Sequence, residues 1–451
     1  MTPPATDHGL VELLEARDTD ACASWLESTR GLEAVRVISR LSEEQREVLL
    51  ALLEPETAAE VIESLPEPQA IDALEGLEPE TAARIIEELP SDEQADLIGE
   101  LHEPEAEAIL EQLEPEEAES VRRLAAYADD QAGGLMITEY LAYPANAQVA
   151  EVLRDLDDHV EQYARYDVQY AYVTGDDGVL LGVLALRDLL LAPRGRELNE
   201  MLVPIGACLL DLDPIERVVD AFRESHFAGL PVVDGSGALV GVVEREALEH
   251  ALAEEADQTY RASQGIIGGE ELRSMPLVLR ARRRLTWLSA NVLLNVLAAC
   301  VIAAHQDTLE AVIALAVFLP IISDMSGCSG NQAVAVSMRE MTLGVVRPGD
   351  FLAVWRKELS VGLINGLALG LLVGSVAWLW KGNAYLGLVV GGALALNTLV
   401  AVSIGGTVPL ALKKLGMDPA LASGPVLTTL TDMGGFLLVL GSASLLLDQL
   451  V

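Results

Sequence analysis

Cysteine is scarce. The 451 residues hold four, Cys22, Cys208, Cys300 and Cys328, far apart and with no CxxC pair. Neither a zinc site nor a disulfide framework is indicated. Histidine is equally thin: His8, His102, His159, His226, His250 and His305 are scattered. No Ser/His/Asp or HExxH arrangement appears that would predict an enzyme. No GxxxxGK[ST] loop is present, so no P-loop nucleotide hydrolysis is expected. Positive charge is short as well. Against 70 Asp and Glu stand 29 Lys and Arg, a formal net charge of −41. Such a chain should repel nucleic acid, because phosphate binding needs a basic face. The opening MTPPATDHGLVELLEARD lacks a basic stretch followed by an apolar one. No cleaved signal peptide is expected, and the acidic part is expected to stay in the cytosol.

What is abundant is divided along the chain. The mean hydropathy is +0.32, which does not suit a soluble protein this acidic. Residues 274–451 hold 11 basic and 9 acidic side chains, whereas residues 1–273 hold 18 and 61. A strongly acidic half therefore precedes an apolar, nearly neutral one. The acidic half should attract cations, divalent ones above all. Leu, Val, Ile and Ala recur throughout it, which argues against a disordered tail.

Leucine recurs every twelve residues at Leu41, Leu53, Leu65, Leu77, Leu89, Leu101 and Leu113, most followed by a break such as Glu54-Pro55, Glu78-Pro79 or Glu114-Pro115. Proline stops one helix and suits the first turn of the next. A stretch such as PETAARIIEELP reads as a two-turn amphipathic helix. Such helices cannot stand alone, and they are expected to stack into an α-solenoid superhelix over roughly residues 30–125.

Residues 134–255 change character and contain two similar copies. Each has a helix, an apolar strand (Ala171–Val173; Leu230–Val233), a tight turn (Gly175–Gly178; Asp234–Gly237), a second strand (Leu181–Leu184; Leu239–Val243) and a closing helix. The turn chemistry favours hairpins. This region resembles a tandem pair of CBS domains, with boundaries at 131–195 and 196–255. That resemblance implies an adenosine nucleotide such as ATP. The motif reads Gly, two apolar residues, Ser/Thr, two residues, Asp. The first copy has Gly182 and Asp188 but Ala185 for the hydroxyl, and the second has Gly241 with Glu244 and Ala247 at the key places. Asp188 is the ribose-binding candidate that survives.

A charged connector, Glu246–Arg284, leads to five apolar runs at about 285–304, 309–335, 358–380, 384–411 and 422–447. Each can cross a hydrocarbon core, which takes ~20 residues. Arg280, Arg282, Arg283, Arg284, Arg339, Arg347, Arg356, Lys357, Lys413 and Lys414 fall on one side, and Lys381 on the other. The positive-inside rule predicts a cytosolic N-terminus and an outer C-terminus. Trp287 and Trp355 then mark one interface, and Trp378 and Trp380 the other. Two acids stand out, Asp324 in the second run and Asp432 in the fifth, with no Lys, Arg or His in those two runs. Intramembrane carboxylates are costly, so both are candidate path residues with a cation as partner.

Taken together, the chain resembles the MgtE-type magnesium transporter family over nearly its whole length. The residues that carry this are Pro320, the run Ser326–Gln332, Arg339-Glu340, Lys357-Glu358, Asp418-Pro419-Ala420 and the TTLTD run ending at Asp432. The family has Gly-Asn-x-Gly where this chain reads Gly327-Cys328-Ser329-Gly330. The resemblance implies a multidomain protein. Residues 1–130 form the acidic α-solenoid and 131–255 the α/β CBS pair. Residues 256–284 form a plug-like connecting helix, and 285–451 an all-α membrane domain with five transmembrane helices. It implies a homodimer in the cell membrane with one Mg²⁺ path, Asp432 as path acid, and Gly327, Gly330, Asn331 and Thr431 beside it. It also implies that cytosolic Mg²⁺ closes the path by bridging acids. Candidates are Glu87, Glu88, Asp92, Glu93 and Asp96 on the repeat, Asp211, Asp213 and Glu216 on the second CBS copy, and Glu254, Glu255 and Asp257 on the connector. Two other readings fit the residues. One is a transporter or exchanger of another divalent metal such as Co²⁺ or Mn²⁺, supported by Cys328 and Asp324. The other is a membrane sensor that signals through the CBS pair without transport.

Overall fold

The computed structural model describes residues 7–29, 31–163, 166, 169–175, 177–263, 265–266, 271–273, 275–417 and 419–451. Asp418 of the motif above lies outside them. The chain divides into two compact units, residues 1–255 and 256–451.

The first unit opens with short helices: α1 (Asp7–Ala16), α2 (Thr19–Ser28), α3 (Leu32–Ile38), α4 (Glu43–Leu52), α5 (Pro55–Ser64), α6 (Glu67–Glu75), α7 (Pro79–Ile86), α8 (Ser91–Glu100), α9 (Glu103–Leu110) and α10 (Pro115–Leu124). Proline occupies the first turn of α5, α6, α7, α9 and α10, where the missing N–H costs nothing. A Ser42/Gln45 capping box starts α4. The repeat leucines Leu41, Leu53, Leu65, Leu89, Leu101 and Leu113 are all buried in one shared core. The array starts earlier than the repeat predicts. Leu10, Leu14, Cys22 and Trp25 of α1 and α2 belong to the same core, although no proline punctuates them.

Among the described residues the α/β region has two small sheets. β2 (Leu141–Pro144), β3 (Tyr170–Thr174) and β4 (Leu180–Ala185) form the first. The second runs β1 (Met136–Ile137), β7 (Leu239–Glu244), β6 (Gly229–Val233), β5 (Leu209–Leu210). Strand β1 lies at the start of the first copy as the sequence bounds it, 131–195, but pairs antiparallel with β7 of the second, Met136 opposite Val243. Gly241 makes room for it, since a Cβ there would lie 2.5 Å from the Met136 sulfur. The hairpin turns of the copies meet through Leu180 N–H to Gly237 O at 3.0 Å and Leu239 N–H to Gly178 O at 3.1 Å. Helices α11 (Val149–Asp158), α12 (Val160–Tyr163), α13 (Leu186–Leu191) and α14 (Ile215–Glu224) cover the sheets, and α15 (Arg245–Ser263) leaves the second copy. Ala95 of α8 and Leu124 of α10 share a core with Leu135, Met136, Val218 and Val243. The helical array and the second copy are therefore packed together.

The second unit is helical: α16 (Leu277–Ala304), α17 (Gln306–Ala311), α18 (Leu315–Thr342), α19 (Phe351–Lys381), α20 (Ala384–Lys414), α21 (Pro419–Leu445) and α22 (Leu447–Leu450). Among the described residues, three stretches are both long and apolar enough to cross a membrane: Leu277–Ala304, Pro348–Lys381 and Ala384–Lys414. Helices α18 and α21 have 28 and 27 residues, about 40 Å at 1.5 Å per residue, against a hydrocarbon core of ~30 Å. The expected second run at 309–335 is displaced. Its first residues belong to the separate α17, and α18 extends to Thr342. Helices α19 and α20 approach closely through glycines. A Cβ on Gly366 would lie 2.6 Å from Ala395 O, and one on Gly370 2.5 Å from Gly391 O. Small residues at four-residue spacing allow this contact.

Candidate cation path and acidic seam

Helices α18, α20 and α21 pack on one another and place the path residues. Asp432 on α21 is 8% exposed and Thr431 fully buried. The Ser323 hydroxyl of α18 donates to Asp432 Oδ1. Asn397 of α20 donates through Nδ2 to Thr431 O at 2.9 Å. The Thr431 hydroxyl donates to Thr428 O at 3.0 Å. A Cβ on Gly327 would lie 4.0 Å from Thr431 Oγ1. A Cβ on Gly330 would lie 2.9 Å from Leu427 Cδ2 and 3.1 Å from Ala401 O. The structure thus brings Asp432, Thr431, Gly327 and Gly330 to one helix junction.

Asp324, Cys328 and Asn331 do not join them. All three are exposed on α18, and their spacing of four and three puts them on one stripe of the helix. Ser323, not Asp324, reaches the buried carboxylate. Sequence reasoning missed both Ser323 and Asn397. A serine beside an aspartate and an asparagine in an apolar run carry no charge signal, and only helix rotation separates Ser323 from its neighbour.

The cytosolic candidates separate in the same way. Ser91 at the start of α8 donates through its hydroxyl to Glu139 Oε2 at 2.8 Å and accepts from Thr138 N–H at 2.8 Å. Next to this seam sit Asp92, Glu93 and Asp96. Burial, then the charges of Glu63, Asp92 and Asp96, lifts Glu93 to about 7. Burial, then Asp92, Asp129, Glu67 and Glu254, lifts Asp96 to about 7, although its side chain keeps an open face to solvent. Asp92 is raised too, by burial first, against the N–H of Glu93 that it accepts at 2.9 Å. Glu117 is raised by burial and then by Glu87. A group of like charges held this way favours any cation, proton or metal, that neutralises it.

Asp211 and Asp213 have structural work. Asp211 Oδ2 accepts from Tyr127 OH at 3.1 Å, and Asp213 Oδ2 accepts from Leu210 N–H at 2.9 Å. Their carbonyls take the N–H groups of Gly133 and Ala132, both at 2.8 Å. Glu216 lies in the first turn of α14. Glu88 follows α7, and Glu254, Glu255 and Asp257 are exposed on α15. Among the described residues no three His, Cys, Asp or Glu side chains converge to hold a metal ion.

A cleft of about 330 Å³ opens between the two copies, lined in part by Tyr170, Tyr172, Gly229, Glu244 and Arg245. Arg245 lies 4.7 Å from the Phe222 ring centroid and donates to Phe227 O at 3.0 Å. The aromatic lining fits a nucleoside, whereas Glu139, Glu246 and Glu249 at the same cleft oppose bare phosphates. Asp188 is exposed, faces Arg187 at 3.6 Å and is not among the lining residues.

A buried intramembrane carboxylate paired with a hydroxyl, on a helical unit joined to an acidic folded half, defines the class as a cation-transporting membrane protein. Residues 319–442 match the family described as MgtE, divalent cation transporter; residues 31–130 match the MgtE intracellular N domain and 207–254 the CBS domain. The magnesium transporter MgtE of Thermus thermophilus is 36% identical over 74% of this chain and 74% of its own length. That of Bacillus subtilis is 29% identical over 74% and 73%. A solved cytosolic domain of the Mg²⁺ channel MgtE in complex with ATP is 32% identical, covering 54% of this chain and 99% of that one with a TM-score of 0.49. The chain belongs to the MgtE family of divalent cation transporters.

Proposed function

We propose that the chain forms a passive, channel-like path for Mg²⁺ through the cell membrane, closed when cytosolic Mg²⁺ neutralises the acidic half. Asp432 carries this reading, as a carboxylate buried at the α18–α21 junction with the Ser323 hydroxyl as its hydrogen-bond partner. Mg²⁺ sheds water reluctantly and is usually held by one or two carboxylates plus water. A homodimer sets two copies of Asp432 about one axis, which suits a hydrated divalent ion bound tightly enough to enter and weakly enough to leave. The exposed Asp324–Cys328–Asn331 stripe supports the dimer, because a polar stripe on a membrane helix needs a wet or protein-covered face. The inside-negative potential supplies ~2.3 kcal/mol per charge per 100 mV. Five spans, α16 and α18 to α21, leave the N-terminus cytosolic and the C-terminus outside. The naming of the relatives as magnesium transporters supports the choice of ion.

The seam around Asp92, Glu93 and Asp96 is the regulatory end, and the cleft by Tyr170 takes the adenine nucleoside of ATP. Flux into liposomes across Mg²⁺, Co²⁺ and Mn²⁺, with Asp432→Asn alongside wild type, tests the path. Equal Mg²⁺ flux in both removes Asp432 from it. A Co²⁺ or Mn²⁺ flux exceeding that of Mg²⁺ replaces the proposed ion.

A further inference from the structure

Helix α20 is apolar along most of its length, yet it buries Asn397 completely. The side-chain amide spends its donor on Thr431 O at 2.9 Å, the carbonyl of the residue before Asp432. Its Oδ1 accepts no hydrogen bond among the described residues. Inside a membrane an unmet acceptor is costly, and a leucine of similar volume would have none. The bond to Thr431 is what asparagine supplies and leucine cannot.

Helix α21 is shaped around this amide. Gly434 and Gly435 follow Asp432 where a Cβ would lie 3.0 Å from Asn397 Oδ1 and 2.8 Å from its Nδ2. A Cβ on Gly435 would also meet Ile322 of α18 at 3.1 Å. The side chain therefore lies across α21 just past the acid, in a gap left by two glycines. One residue along a helix is 1.5 Å of rise and about 100° of rotation. Any slip of α21 on that scale breaks the Asn397 bond and carries the carboxylate away from Ser323. Asp432 is thus held from two sides: the Thr431 carbonyl before it by α20 and its side-chain oxygen by α18.

We infer that Asn397 is a positioning residue that fixes the rotation of α21 and so the place of the Asp432 carboxylate in the path. This rests on the proposed role of Asp432. Asn397 acts through Thr431 and need not touch the ion.

Full-length protein in liposomes tests it, with the half-saturating Mg²⁺ concentration as readout, which the amount of active protein does not move. The variants are Asn397→Leu, which fills the volume without a donor, and Asn397→Ala combined with Gly435→Ala, which refills the gap with methyl groups. Asp432→Asn is the control. Loss of one hydrogen bond predicts a rise of about fivefold or more in half-saturation for both Asn397 variants. Folded variants with half-saturation within twofold of wild type overturn the inference. If Asn397→Leu fails to fold, the double variant decides by the same criterion. Failure of both to fold overturns positioning in favour of a purely structural role. Unchanged flux in Asp432→Asn overturns the proposed path itself. Lost flux there, with half-saturation kept in the Asn397 variants, overturns this inference alone.

Discussion

Replacing Glu93 by Gln should make the acidic half more stable and less responsive to Mg²⁺. The folded state lifts Glu93 from 4.5 to about 7 through burial and the charges of Glu63, Asp92 and Asp96. A carboxylate whose pKa rises on folding binds its proton more tightly when folded. Its charge therefore opposes folding in full above about pH 7, and the opposition fades as pH falls toward 4.5. The rise corresponds to about 3 kcal/mol. Because the charge is shared with Asp92 and Asp96, one substitution should relieve about 2 kcal/mol. For a unit of this size that is about 4–8 °C in Tm. Residues 1–255 form a compact unit with their own cores, so thermal melts of that fragment at pH 8 are the assay. Wild type should melt higher when millimolar Mg²⁺ is added or when pH is lowered to 5.5. Glu93→Gln should start higher and gain less from either. A variant that melts at or below wild type without divalent cation would refute the idea of a charge-strained seam. So would one that keeps the full Mg²⁺ gain.

Asp432→Asn should reduce Mg²⁺ flux at least tenfold in liposomes, since the path loses its fixed charge while keeping a side chain of similar size. Gly370→Ala places a Cβ 2.5 Å from Gly391 O; the resulting overpacking should cost about 1–3 kcal/mol, read as a lower Tm of the detergent-solubilised full chain. Tyr170→Ala should weaken ATP binding to the full chain by at least fivefold, because base stacking is worth about 1–3 kcal/mol; calorimetry in the presence of Mg²⁺ checks it, and unchanged affinity would place the nucleotide elsewhere.

Some of this was legible in the sequence. Proline at first turns and leucine every twelve residues mark the helical array, because helix stops and buried faces are local properties. Hairpin strands were legible through their turn glycines, and Gly178 and Gly237 do adopt positive φ, at 73° and 86°. Strand β1 was not, since a two-residue strand has no period and its partner lies about a hundred residues away. The start of the array at α1 carried no proline or leucine-repeat signal; only the family resemblance assigned residues 1–130 to the solenoid. In the membrane unit, charge alone singled out Asp324 and Asp432 alike. Packing then buried one and left the other on an outer stripe, a distinction that depends on helix rotation. Among 70 acids, Glu93 and Asp96 could not be ranked above the rest without knowing which charges surround them.

Strand β1 also limits how the molecule can be taken apart. Residues that open the first copy complete the sheet of the second, and their neighbours Thr138 and Glu139 are tied to Ser91. Neither copy is a separable cassette. A chimera that exchanges residues 141–204 alone leaves β1 matched to its own β7. One that exchanges 196–255 alone confronts β1 with a foreign edge and a foreign residue in place of Gly241. Recombination among relatives should therefore trade the pair whole, together with the stretch from Gln131 onward.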